Sequence, residues 1–336
     1  MKILAVETSC DDTAVALLDG TDLLAEEIRH QDVHSAHGGV VPELASRNHL
    51  ETLPSVIGDV FAKAGVPNFP GTIDVYAATA GPGLVGSLLV GLSWAKAAAW
   101  SSGKPFLGIN HLAAHLFLHY GKPVKFPAAA LLASGGHTCL LRMDSWERIT
   151  MLGCTRDDAA GESFDKTAKL LGLGYPGGAA LDALAERGDP SAVHLPSPLH
   201  DPSLPEFSFS GLKTAARIAL EKGADPADLA ASFRLRVVDS LVSKFLHQCR
   251  EIGAASMVAA GGVTANSLLR NRLSRASALL GIPLFLPDVE HSTDNALMVG
   301  RAAAAVLDSD PSARSSLQCN AFSRWTGSGL SPLCCH

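Results

Sequence analysis

A strand, polar turn, strand unit that occurs twice constrains this chain more than any other feature. Lys2–Val6 is apolar, Glu7 to Asp12 interrupts it, and Thr13–Leu18 resumes the run before Asp19-Gly20. The same order returns at Pro127–Ala133, Ser134-Gly135-Gly136-His137 and Thr138–Met143. Short apolar runs bounded by polar and glycine-rich turns read as strands of hairpins. A second pair supports duplication: Ile73–Ala78 leads through Gly81-Pro82-Gly83 into a helical run, and Ser256–Ala260 leads through Gly261-Gly262 into another from Ser267. Glycines there let backbone amides at a helix start approach an anion.

Thr13 and Thr138 are 125 positions apart but Gly81 and Gly261 are 180 apart, which leaves about 55 extra residues in the second half. They fall between about residues 152 and 213. Helical spacing of apolar residues covers Leu50 to Val60, Leu112 to Tyr120, Leu235 to Phe245 and Leu297 to Leu307. Strands alternate with helices, so the fold class is α/β: two similar lobes with glycine turns converging on a cleft. The expected boundaries are 1–122 for the N-terminal lobe, 123–311 for the C-terminal lobe with its insert, and 312–336 for a tail.

Length and composition agree. A chain of 336 residues, 47% hydrophobic and 18% charged, can bury two cores and is not disordered. Its net charge of -6 offers no overall field for nucleic acid, so any RNA must be met by a local patch or a partner. No signal or transit segment is evident at the N-terminus, and the apolar stretch from Leu84 to Trp100 is interrupted by Lys96 and falls short of a span. Seven cysteines without a C-x-x-C argue against a disulfide framework or a structural zinc site. A reducing cytoplasm fits these features.

Several residues could carry chemistry. His111 and His115 are four apart on one helical face and could chelate a transition metal, but His30/His34 and His115/His119 share that spacing among 13 histidines. Leu112 stands where a zincin protease needs Glu. Asp294 reads as a helix cap, or as a metal ligand if the fold brings it to the histidines. Asp157, Asp158, Glu162, Asp165 and Lys166 concentrate charge in the insert, which reads equally as a solvated helix start. Arg270, Arg272 and Arg275 form the nearest approach to a phosphate-facing patch. Neither glycine turn is a P-loop or a G-x-G-x-x-G fingerprint.

Ten blocks in order resemble the family of tRNA N6-adenosine threonylcarbamoyltransferases, most closely its bacterial TsaD branch. They are Glu7–Thr13, Gly38–Arg47, Thr79–Gly86, His111-x-x-x-His115, Ser134–Thr138, Asp157–Lys166, Tyr175–Gly178, Phe207–Thr214, Ala260–Asn266 and Thr293–Asn295. The resemblance implies the actin-like fold of sugar kinases and chaperone ATPases. It implies that His111, His115 and Asp294 bind one Fe(2+) or Zn(2+), and that Leu132, Ala133, Ser134, Gly135, Gly136, Asp165, Gly178, Asp182 and Asn266 hold the adenylate. The implied reaction passes the threonylcarbamoyl group from L-threonylcarbamoyladenylate to N6 of the adenosine 3′ of the anticodon in tRNAs reading ANN codons, releasing AMP. Asp11, in the first hairpin turn, is the candidate proton acceptor or orienting group. Implied partners are tRNA, a TsaB-like inactive paralogue, a TsaE-like small ATPase and a synthase supplying the adenylate, with no membrane. The chain departs from the family pattern at Asp12 (usually Glu), Ala133 (usually Val), Cys154-Thr155-Arg156 (usually Gly-Glu-Ser/Thr) and after Trp325, where Pro is missing. Leu132 takes the place of a metal-binding Tyr of the archaeal and eukaryotic branch. A kinase or ATPase of the same fold, or a non-enzymatic subunit, is the competing reading.

Overall fold

A computed structural model describes residues 1–66, 71–197, 199, 201–327 and 329–334. The chain divides into two compact units, one made of residues 1–122, 146–148 and 294–336, the other of 123–145 and 149–293.

In the first unit, strands β1 (Lys2–Glu7), β2 (Asp12–Asp19), β3 (Asp22–His30), β4 (Val75–Gly81) and β5 (Phe106–Asn110) form a sheet of order β3-β2-β1-β4-β5. β1 and β2 make an antiparallel hairpin with Val6 opposite Val15, and β4 runs parallel to β1 with Ala77 opposite Ala5. The central strands are buried along nearly their whole length because both faces are covered, which is why they read as unbroken apolar runs. Helices α1 (Pro42–Ala64) and α2 (Val85–Ser102) bury Leu53, Val56, Val60, Leu92 and Ala95 against Leu4, Val6, Val15 and Tyr76. Helix α3 (His111–Phe117) follows β5 directly and is buried at every residue.

The second unit repeats the topology. Strands β6 (Ala128–Ala133), β7 (Thr138–Met143), β8 (Ile149–Cys154), β9 (Ser256–Ala260) and β10 (Leu284–Phe285) are ordered β10-β9-β6-β7-β8. Each strand takes the place of its counterpart in the first sheet, so the duplication inferred from the hairpins extends to all five. The expected insert holds α4 (Ala160–Leu170), α5 (Gly178–Ala185) and the start of α6 (Ser210–Glu221). With α7 (Pro226–Glu251) and α8 (Ser267–Leu280) they enclose a core of Phe164, Phe233, Phe245, Leu131, Leu140 and Leu269. Pro198 and His200, in the expected Pro/His-rich loop, lie outside the described residues.

The last long helix, α9 (Ala296–Ser309), belongs to the first unit. The structure therefore differs from the expected lobe ending at residue 311: residues 294–336 group with residues 1–122. The cause is packing. The glycine at 300 leaves no room for a Cβ against the Leu18 side chain, and α9, whose Ala302 to Ala305 are all small and buried, packs close on β1 and β2. Arg301 Nη1 also donates to the Leu118 carbonyl at 2.6 Å, tying α9 to the end of α3.

No helix among the described residues is long and apolar enough to cross a membrane. Cys10, Cys139, Cys154, Cys249 and Cys334 are free thiols, whereas Cys319 is disulfide-bonded, a single bridge and not a framework among the described residues.

Candidate functional site

In the first unit, the junction of β5 and α3 places two histidines one turn apart. The Asn110 side chain accepts from the N–H groups of Leu112 (2.9 Å) and Ala113 (3.1 Å), which starts α3 at His111. His111 and His115 then stack edge to face with ring centroids 4.8 Å apart. Asp294 reaches them from the approach to α9. The sequence allowed Asp294 to be the cap of that helix, but the structure gives the role to Asn295, whose side chain accepts from Met298 N at 2.9 Å. Glu26 Oε1 takes the N–H groups of Ala296 and Leu297, both at 2.9 Å. The Asp294 carboxylate faces the imidazoles instead, 3.3 Å from His115 Nε2 and 3.7 Å from His111 Nε2.

His111, His115 and Asp294 can each offer a ligand atom within 4.8 Å of the other two, a group with metal-binding spacing among the described residues. Two features favour a cation there. His115 is fully buried, yet among the described residues neither ring nitrogen has a hydrogen-bond partner. Such an orphan is costly unless something else satisfies it. His111 is held from behind: its Nδ1 lies 3.2 Å from Ser9 Oγ and 3.3 Å from Glu7 Oε2, which leaves Nε2 toward Asp294. This carboxylate–imidazole arrangement orients metal-binding histidines generally. Burial disfavours the charged form of His111, but Asp294 and Glu7 outweigh it and raise its pKa to about 9. Of the other paired histidines, His34 is engaged by Gln31 and by Val41 N, and His30 by Asp12.

Glu7 was not singled out in the sequence, although it closes β1 and is fully buried. It accepts from Ser9 N and Thr79 Oγ1, both at 2.5 Å, as well as facing His111. Beyond it the β1–β2 turn carries Cys10, Asp11 and Asp12. Burial, aided by Asp11, Asp294 and Asp12, pushes the Cys10 thiol up. Asp12 is raised to about 7, with burial foremost, Asp294 and Asp11 adding to it and the His30 partner at 2.7 Å opposing. Asp11 thus lies in an acidic turn of the same unit as His111, His115 and Asp294.

In the second unit the Ser134–Gly136 turn follows β6 and Gly261 follows β9, and β6 and β9 are parallel neighbours. Both turns therefore leave the same edge of one sheet. They are not on facing walls of a cleft, as the duplicated lobes suggested. Gly261, at φ 92°, lies so close to the Ala133 carbonyl that no Cβ could fit. Ser134 N donates to the His137 carbonyl at 2.8 Å, and the carbonyls of Ser134 and Gly135 accept the first N–H groups of α4, from Gly161 and Glu162, at 3.2 and 3.1 Å.

The remaining expected adenylate residues form two clusters. Asp182, on α5, accepts from Asn266 Nδ2 (2.8 Å), Ser267 N (3.0 Å) and Arg234 Nη1 (2.8 Å). Asn266 also caps α8 through Leu269 N. Arg234 was not singled out, because a cation inside an apolar helix pattern gives no signal of what it faces. Asp165 Oδ1 accepts Gly177 N at 2.9 Å beside Gly178.

The acidic cluster of the insert is structural. Asp157 accepts from Phe209 N and from the Ser208 and Ser210 hydroxyls at the start of α6, and Asp158 sits between Lys166 and Lys213, each at 2.9 Å. The expected arginine patch is likewise depleted. Arg270 donates to the carbonyls of Thr264 and Pro287, and Arg272 pairs with Asp239.

The sequence model of the tRNA N6-adenosine threonylcarbamoyltransferase family, TsaD, matches residues 22–301. The chain belongs to this family. It is 46% identical over 308 residues to the tRNA N6-adenosine threonylcarbamoyltransferase of Thermotoga neapolitana, covering 90% of this chain and 93% of that protein. The namesake from Geobacter sulfurreducens is 48% identical over 89% of this chain and 90% of its own length. Among solved structures, HypF of T. kodakarensis aligns with a TM-score of 0.63 at 16% identity over 92% of this chain and 48% of that one. Component A of (R)-2-hydroxyglutaryl-CoA dehydratase from Acidaminococcus fermentans aligns at 0.55 and 15% identity over 91% and 99%. The family fold is the actin-like one, and the family's members are transferases that modify tRNA.

Proposed function

We propose that this chain transfers the threonylcarbamoyl group of L-threonylcarbamoyladenylate to N6 of the adenosine 3′ of the anticodon in tRNAs reading ANN codons, with release of AMP. The observation that carries the reading is the His111, His115 and Asp294 group, its two histidines buried, in a chain nearly half identical to named relatives. Two imidazoles and one carboxylate suit Fe(2+) or Zn(2+), whereas a phosphotransferase of this fold relies on Mg²⁺ held by oxygen ligands. Bound there, such an ion supplies Lewis acidity and a template for substrate oxygens.

The chain's own residues meet the other needs of the reaction. The adenine amine is a weak nucleophile because its lone pair is delocalised, so the carbamoyl carbon must be held in line with it. N6 attacks that carbon, the bond to the phosphate oxygen breaks, and N6 gives up a proton. Since Ser134 N–H is used by His137, the amides of Gly135 and Gly136 are assigned to the charge that grows on the departing AMP. Ala133 and Leu132 lead into that turn. Asp182 orients Asn266 toward the nucleoside, and Asp165 fixes Gly177 and Gly178 beside it. Asp11 is assigned to accept or orient the proton.

With a net charge of -6, the chain takes tRNA together with partners, a TsaB-like paralogue and a TsaE-like ATPase, in the cytoplasm. The test supplies threonylcarbamoyladenylate and ANN-reading tRNA to the metal-loaded chain with those partners, and measures AMP release together with threonylcarbamoyladenosine in the digested tRNA. AMP without the modified nucleoside would reduce the activity to adenylate hydrolysis and refute transfer.

A further inference from the structure

We propose that Cys139 and Cys154 form a reversible cross-strand disulfide, making the β7–β8 ladder a thiol–disulfide exchange site. The two residues are direct partners in the antiparallel register of β7 and β8. Thr155 N donates to the Thr138 carbonyl at 2.8 Å, so the pair formed by Thr138 and Thr155 is hydrogen-bonded and the next pair, Cys139 and Cys154, is not. In a non-hydrogen-bonded pair the Cα atoms lie about 4.5 Å apart with side chains on the same face. That separation falls within the range a disulfide spans, roughly 4.4–6.8 Å.

The two thiols also differ in access, as an exchange site requires. Cys139 is buried and Cys154 half-buried, and both are free. Their mutual hydrogen bond, with burial second, raises Cys139, and the same bond lowers Cys154 against the effect of burial. Cys154 is therefore the entering nucleophile and Cys139 the resolving thiol. Cys154 Sγ, now 2.9 Å from Met151 Sδ, is released by rotation about its Cα–Cβ bond. The oxidant is a low-molecular-weight disulfide. The Cys154 thiolate attacks one of its sulfurs and expels the first thiolate. Cys139 then gives up its proton, attacks Cys154 Sγ and expels the second, so two protein thiols become one disulfide and one small disulfide becomes two thiols.

The site abuts the adenylate turn without belonging to it. Thr138, next to Cys139, accepts Ala160 N through Oγ1 at 2.8 Å and so holds the start of α4, whose Gly161 N–H binds the Ser134 carbonyl.

The experiment incubates the full chain with oxidised glutathione, blocks remaining thiols, and maps tryptic peptides without reduction. Arg142 and Arg148 lie between the two cysteines, so they fall on separate peptides. Expected are a loss of two free thiols, a Cys139–Cys154 linked peptide, and full reversal by dithiothreitol. Cys139→Ser should leave Cys154 as a stable glutathione adduct, and Cys154→Gly should leave Cys139 unmodified. Wild-type chain that accumulates the Cys154 adduct, pairs either cysteine elsewhere, or keeps both thiols free overturns the proposal.

Discussion

Replacing Asp182 with Ala should damage stability and nucleotide binding together, because the carboxylate that holds Arg234 is also the one that, in the proposed function, orients Asn266. Its oxygens accept from Arg234 at 2.8 Å, Asn266 at 2.8 Å and Ser267 N at 3.0 Å. The Arg234 side chain is only 10% exposed, and removing one partner of a buried ion pair costs about 3–5 kcal/mol. Arg234 keeps a second partner in Glu186, but that side chain is 62% exposed and its charge is largely screened. Partial compensation brings the expected loss to about 2–3 kcal/mol. At roughly 2–4 °C per kcal/mol for a unit of this size, the transition that reports on it should fall by about 4–12 °C. Asn266, left without the bond that orients it, should lose at least tenfold in AMP affinity by calorimetric titration. Asp182→Asn keeps an acceptor for Arg234 and Asn266 but sets an amide donor against Ser267 N–H, so it should fall between the two. An alanine variant that melts within a degree of wild type, or that melts low but binds AMP normally, would break the proposed link between the two roles.

Substituting His115 with Ala removes one of the three donors and should abolish tight metal binding; unchanged metal content by elemental analysis would sink the assignment. Because the folded chain raises His111 to about 9, the proton competes with the cation, so metal affinity should rise by up to about tenfold per pH unit toward pH 9 and level off above it. A flat profile in an equilibrium dye-competition titration would contradict this. At Gly135 an added Cβ meets no protein atom within 4 Å, so Gly135→Val should fold normally and keep its metal while losing adenylate affinity. Normal AMP binding by that variant would take the phosphate away from this turn. The isolated chain should bind tRNA weakly and with steep salt dependence, and tight binding that resists salt in a filter assay would contradict it.

What the sequence made legible was local, and what it concealed depended on contacts between distant segments. Both hairpins fall within a residue or two of their expected bounds, because an apolar run broken by a polar turn is stabilised by near neighbours. The destination of α9 was not legible. Leu297 to Leu307 show that a helix forms there, but the contacts that set it on the first sheet, Gly300 against Leu18 and Arg301 on the Leu118 carbonyl, join segments far apart in sequence. The two glycine turns illustrate the same limit. Each was visible, yet β6 and β9 are far apart in sequence, and their parallel pairing is what brings the turns to one edge. The His111, His115 and Asp294 group is the sharpest instance. Histidine spacing left three pairs open, and Asp294 read as a cap until Asn295 and Glu26 were seen to satisfy the helix start. The amide that caps the helix and the carboxylate that meets the imidazoles thus sit on adjacent residues, Asn295 and Asp294, and a capping signal in the sequence cannot separate them. Only the fold separates them, by giving the helix start to Asn295 and Glu26 and turning Asp294 toward His111 and His115.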